Sequence, residues 1–227
     1  MCVLAHLIEA EGIATVTLAS MRDVAEKVAA PRVLHGEFPL GRPLGKPSDP
    51  EFQHDVLARA FALLDAPSGP VIESHPVVIE ESTDAVACQL PPAFDADASP
   101  AVAEARGIRK AYDRIVERRG VTSVGRAIDA DTIPLALEAL ERVAAGTPLK
   151  EAELPGKNTV AVCHDIRTYY EETAVDLATG PVAGGRAVEN WFFEETEAGG
   201  VVLAARKALS DQGTPFPFWF YMAPGHR

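Results

Sequence analysis

Cys2 opens a stretch, residues 1–11, in which Val3, Leu4, Leu7 and Ile8 recur at helical spacing. A thiol in the first turn of a helix meets unpaired N–H groups and the positive end of the helix dipole, which favours the nucleophilic thiolate. Removal of Met1 would place an α-amino group beside it. A second group of candidates surrounds a loop at residues 39–50: His35 and Glu37 precede it, and His54 follows it. Gly41 and Gly45 let the backbone come close to a ligand, and Pro39, Pro43, Pro47 and Pro50 lower the entropy lost on ordering the loop. Imidazoles carry protons near neutral pH, and a carboxylate such as Glu37 can orient one. The expectation is therefore that Cys2, His35 and Glu37 are catalytic and that Gly41, Gly45 and His54 bind the ligand. A chance terminal cysteine and a rigid structural loop with solvated histidines are the plainer reading of the same residues.

Other chemistries find less support. The loop glycines do not follow GxGxxG, and no GK[ST] occurs, so no nucleotide fingerprint is present. His164, Asp165, Glu171 and Glu172 share one expected helix, and Glu194, Glu195 and Glu197 another, as in carboxylate-bridged metal bundles. Those bundles need Glu-x-x-His pairs, and His164 has Ala161 where the glutamate would stand, so no metal site is expected. Tyr169, Tyr170, Trp191 and Phe192 are expected to form core between these helices.

The elements that must position these groups alternate in the first half. After the helix at 1–11 comes a β-branched strand at 13–18, then a helix to Val28 capped by Ser20 with Asp23 in its first turn. Pro31 stops it, and residues 32–38 form a second strand. Asp49-Pro50 caps a helix through Leu64 whose apolar residues, Phe52, Val56, Leu57, Ala60, Phe61 and Leu64, fall on one stripe. A proline-rich connection at 65–100 holds one strand, 76–79, and an Ala/Asp-rich stretch at 94–99. Helices are expected at 101–119, 132–144, 163–178 and 185–210, followed by an aromatic tail at 216–222 that docks on the core or on a partner subunit. The fold class is α/β, a small parallel-sheet layer in the N-terminal half followed by a mainly helical C-terminal half, with domains at 1–95 and 96–227. Open α/β units begin with a strand, and this one begins with a helix. A sheet edge left without that strand invites pairing, so a homo-oligomer is expected.

The chain has 227 residues and a formal net charge of −12, which argues against nucleic acid and anionic membrane as partners. Arg114, Arg118 and Arg119 form the one basic cluster and read as a solvated helix face. No apolar run reaches the ~20 residues of a membrane span. The start lacks the basic region of a signal peptide. Three widely spaced cysteines, Cys2, Cys88 and Cys163, give no disulfide framework, so a reducing, cytoplasmic compartment is expected.

Residues 7–17 (LIEAEGIATVT), 30–47 (APRVLHGEFPLGRPLGKP, similar to the pattern PxR…FPxGxPLGxP) and 49–64 (DPEFQHDVLARAFALL) resemble the selenoprotein B family of glycine, sarcosine and betaine reductases. Residues 116–125 (VERRGVTSVG) and 190–196 (NWFFEET) are similar to the C-terminal part of its shorter members. The resemblance implies reductive cleavage of a C–N bond in a small amine, a small amine or carboxylate as ligand, and a redox partner protein. The family's selenocysteine or cysteine motif precedes the first helix, at a point upstream of Met1. Two other readings stay open: a binding or assembly protein without catalysis, and a hydrolase or lyase acting through Cys2. The residues leave the cofactor undetermined.

Overall fold

The structure, a computed structural model, describes residues 1–39, 41–80, 86, 88–90, 95, 97–179 and 184–227. Leu40, and Phe94 and Ala96 of the Ala/Asp-rich stretch, lie outside the described residues. The chain divides into two compact units, Met1–Ser82 and Thr83–Arg227. The small sheet followed by helices is the α/β arrangement expected from the sequence.

The N-terminal unit runs α1 (Cys2–Ala10), β1 (Thr17–Ala19), α2 (Arg22–Val28), β2 (Arg32–His35), α3 (Pro50–Ala62) and β3 (Val71–Ser74). The three strands are parallel in the order β1-β2-β3, with Ala19 opposite His35 and His35 opposite Ser74. Period-two alternation sorts the sheet's side chains between two layers. Leu18, Leu34 and Val71 pack with Val56, Ala60 and Leu63 on the α3 side. Ala19, Val33 and Ile72 pack with Ala25 and Cys2 on the α1/α2 side. Glu9, near the end of α1, accepts hydrogen bonds from the Thr15 amide and hydroxyl and from Arg32 Nη1. That three-way contact fixes the turn that feeds β1.

Several local expectations are corrected. The strand expected at 13–18 is only Thr17–Ala19, and Ile13 is exposed. Ser20 does not cap α2; Met21 takes the N-cap position without a side-chain bond. The helix ends before Pro31, at Ala29, whose left-handed φ of 52° closes it. Asp49 does cap α3, accepting from the Phe52 amide at 3.0 Å, but Phe61 faces solvent. The third strand is Val71–Ser74, whereas residues 76–79 form none; there the Ile79 amide bonds the Glu37 carbonyl at 2.9 Å.

The C-terminal unit packs α4 (Pro100–Arg119), α5 (Ile133–Ala144), α6 (Thr159–Leu177), α7 (Gly185–Glu195) and α8 (Glu197–Asp211) around one core. The expected Tyr169, Tyr170, Trp191 and Phe192 all lie in it, with the Tyr170 and Phe192 rings edge-on at 5.4 Å. The single helix expected at 185–210 is two. Thr196 ends α7 through its hydroxyl bond to the Phe192 carbonyl and starts α8 by accepting from the Gly199 amide. A Cβ at Gly199 would run into the Phe192 carbonyl, so the tight corner requires glycine there. Glu104, buried on α4, caps the same start by accepting from the Glu197 and Ala198 amides. In the tail, Met222 is buried, Trp219 is half-buried, and Phe216, Phe218 and Tyr221 are exposed. Arg206 lies over the Trp219 and Phe220 rings and holds the tail against α8. Among the described residues no helix is long and apolar enough to cross a membrane.

Candidate functional site

Parallel strands deliver their C-terminal ends, and the loops that follow, to one edge of the sheet. Here that edge carries Ser20 after β1, His35 and Gly36 at the end of β2, and Ser74 and His75 at the end of β3. α1 runs back against the strands, so its first residue, Cys2, comes to the same edge, packed in the layer that holds Ala19 and Val33. Ala19 is the register partner of His35, and His35 that of Ser74. Thiol, imidazole and hydroxyl therefore share one edge and one face.

His35 is buried, with Nδ1 3.2 Å from Ser74 Oγ. The same oxygen accepts from Arg22 Nη1 at 2.8 Å, and Arg22 Nε donates to Glu26 at 2.7 Å. Arg22 thus stands at the first turn of α2, paired with Glu26 and with nearly half its side chain in water. A groove of about 310 Å3 opens at the end of β1, lined by Cys2, Ala19, Ser20 and Met21 together with Val24 and Val28; Arg22, His35 and Ser74 do not line it. Its walls are mostly apolar, and its hydroxyl and thiol sit at the strand end.

The remaining expected residues lie elsewhere. Glu37 is exposed just beyond β2 and makes no side-chain hydrogen bond among the described residues. His54 faces solvent on α3, and Gly41 is exposed with open space around it. Gly45 is buried at φ 76°, where a Cβ would strike the Phe52 and Ile79 side chains. Its glycine serves packing rather than close approach of a ligand. Beneath the loop, beside Pro43 and Phe38, the space is about 10 Å3, room for one water. The sheet separates these residues from Cys2: the loop and α3 belong to the other layer, with Leu44 and Phe52 packed beside Leu34 and Val56.

His75 and Asp55 were not singled out from the sequence, and their pairing looks like an acid–base dyad. Asp55 Oδ2 lies 3.0 Å from His75 Nε2, and the Val77 amide donates to Nδ1 at 3.2 Å. With Nδ1 accepting, Nε2 carries the proton and donates to Asp55. Arg59 and then His75 hold the Asp55 carboxyl below the usual carboxylate range. Both ring nitrogens are consumed and the ring is enclosed by Phe38 and Phe52, so the pair braces α3 against β3.

The other two thiols are poorly placed for nucleophilic chemistry. Burial, with Glu195 adding to it, pushes Cys88 up to about 11, and burial alone pushes Cys163 up to about 12. Among the described residues no group of histidine, cysteine or carboxylate side chains could hold a metal ion. No family model matches the chain, and no curated protein or solved structure does either.

Proposed function

We propose that the N-terminal unit takes a small amine bearing a carboxylate at the C-terminal edge of its sheet and acts as the substrate-handling component of an oxidoreductase. The reaction it would serve is the one the resemblance implies, reductive cleavage of a C–N bond with electrons from a redox partner protein. The observation that carries the reading is the convergence of Cys2, Arg22, His35 and Ser74 on one edge and one face. Arg22 is the anchor for the carboxylate, since a guanidinium meets it with two parallel donors. The apolar groove beside Cys2 suits methyl groups on the amine nitrogen. His35, tied to Ser74, is the proton carrier.

Relative to the sequence-based expectation, the ligand position moves from the loop at 39–50 to the face of α1 and α2. Calorimetric titration with glycine, sarcosine and betaine tests this. Binding that is lost in Arg22→Ala and retained in His54→Ala supports the sheet edge. Binding lost in His54→Ala and retained in Arg22→Ala returns the site to the loop.

A further inference from the structure

The helical unit contains a cavity of about 440 Å3 between the start of α6 and the C-terminal tail. Arg126, His164 and Arg167 line one side, and Phe220, Tyr221 and Met222 the other. Three basic side chains on one wall are notable in a chain of net charge −12.

Their charges are unequally met. Arg167 forms an ion pair with Glu171 at 2.9 Å and approaches Glu189 at 3.6 Å. The Arg126 guanidinium has no hydrogen bond or ion pair among the described residues, although its backbone amide is pinned to Asp165. The nearest carboxylate to His164 is Asp165, 3.8 Å from Nδ1. Its oxygens already accept four backbone amides, from Gly125, Arg126, Ala127 and Ile128. His164 Nδ1 is 3.3 Å from the Thr168 hydroxyl, and no partner is found for Nε2 among the described residues. The cavity thus holds roughly one uncompensated positive charge, which fits a monoanion.

The apolar wall is built rather than accidental. Thr159 donates its hydroxyl to the Phe218 carbonyl, Trp219 Nε1 bonds the Thr214 carbonyl at 3.0 Å, and Met222 is buried. A wall ordered in advance loses little entropy when a ligand docks on it.

We infer that this cavity binds a small monoanionic carboxylate with an apolar body, its carboxylate at Arg126 and His164 and its body against Phe220, Tyr221 and Met222. Burial first, and then the charges of Arg126 and Arg167, hold the His164 pKa below its usual value, with Asp165 opposing them. An arriving carboxylate reverses the effect of the arginines, so binding raises that pKa and tightens as the pH falls.

The test is an NMR titration of the full chain with phenylacetate, phenylacetamide and inorganic phosphate. The imidazole signal is assigned through His164→Gln. Phenylacetate should bind saturably and shift the His164 signal, while the neutral amide of the same shape should not. Arg126→Gln should weaken phenylacetate about tenfold or more, the loss expected for one charge-assisted hydrogen bond, while Arg119→Gln, away from the cavity, leaves it unchanged. Tryptophan emission reports whether each variant keeps its fold. Equal binding of phenylacetamide, competition by phosphate as strong as by phenylacetate, indifference to Arg126→Gln, or no saturation by about 10 mM would each overturn the inference.

Discussion

Asp165→Asn removes one acceptor from the most heavily bonded carboxylate in the helical unit. Asp165 is fully buried, with Oδ1 accepting from Gly125 and Arg126 at 3.1 and 3.0 Å, and Oδ2 from Ala127 and Ile128 at 2.7 and 3.0 Å. The substitution keeps the shape but turns an NH2 group against two of the four amides. Each amide stranded away from water costs about 1–3 kcal/mol, so the loss for two is about 2–6 kcal/mol. At about 2–4 °C per kcal/mol for a domain of this size, the melting point falls by roughly 4–24 °C. Both tryptophans, Trp191 and Trp219, belong to the helical unit, so their emission follows its unfolding alone. The pH dependence gives a second readout. Burial pushes the Asp165 pKa up, but the four amides outweigh it and leave it below the ordinary value of 3.8. A depressed folded pKa means stability that is present above the unfolded pKa and lost as pH falls through the folded one. The wild type should therefore lose stability below about pH 4 more steeply than Asp165→Asn. A fall of less than about 2 °C, with equal acid sensitivity in the two proteins, would refute the reasoning.

Three further outcomes are expected in the N-terminal unit. Ala29→Gly should stabilise it by about 0.5–1 kcal/mol, because Ala29 closes α2 at φ 52°, and slower hydrogen exchange in β2 would report the gain. Gly45→Val should destabilise the unit by about 2–4 kcal/mol through Phe52 and Ile79, far more than Gly41→Ala in open space, while tryptophan emission stays unchanged. The outer edge of β1 has no strand partner among the described residues, and Val3, Leu4, Leu7 and Met21 of the same unit are exposed. Sedimentation at micromolar concentration should show a dimer that Leu7→Glu dissociates, and a clean wild-type monomer would dismiss the pairing.

The fold class was legible because β-branched runs and helical stripes alternate in the first half and only stripes occur in the second. Misplacements arose where tertiary contacts override local pattern. Residues 76–79, PVVI, look more like a strand than 71–74, VIES, yet β3 is an edge strand with Glu73 and Ser74 in water, so it carries only half the apolar pattern. The helical period passes smoothly through Thr196, and what breaks the helix is the cap supplied by Glu104 from α4. Phe61 fits the stripe of α3, but the sheet is only three strands wide and leaves it exposed. Cys2 and His35 were visible as reactive types. Their shared face depends on the registers Thr17 to Val33 and His35 to Ser74, which no single stretch of sequence encodes. Ser74 and Arg22 escaped notice for the same reason.

Alkylation by limiting iodoacetamide, mapped by peptide mass with and without glycine, sarcosine or betaine, tests the sheet-edge site most directly. Cys2 should take most of the label, and at least one of the three compounds should slow that labelling in the wild type but not in Arg22→Ala. Preferential labelling of Cys88 or Cys163, or Cys2 labelling unchanged by all three compounds, would contradict it.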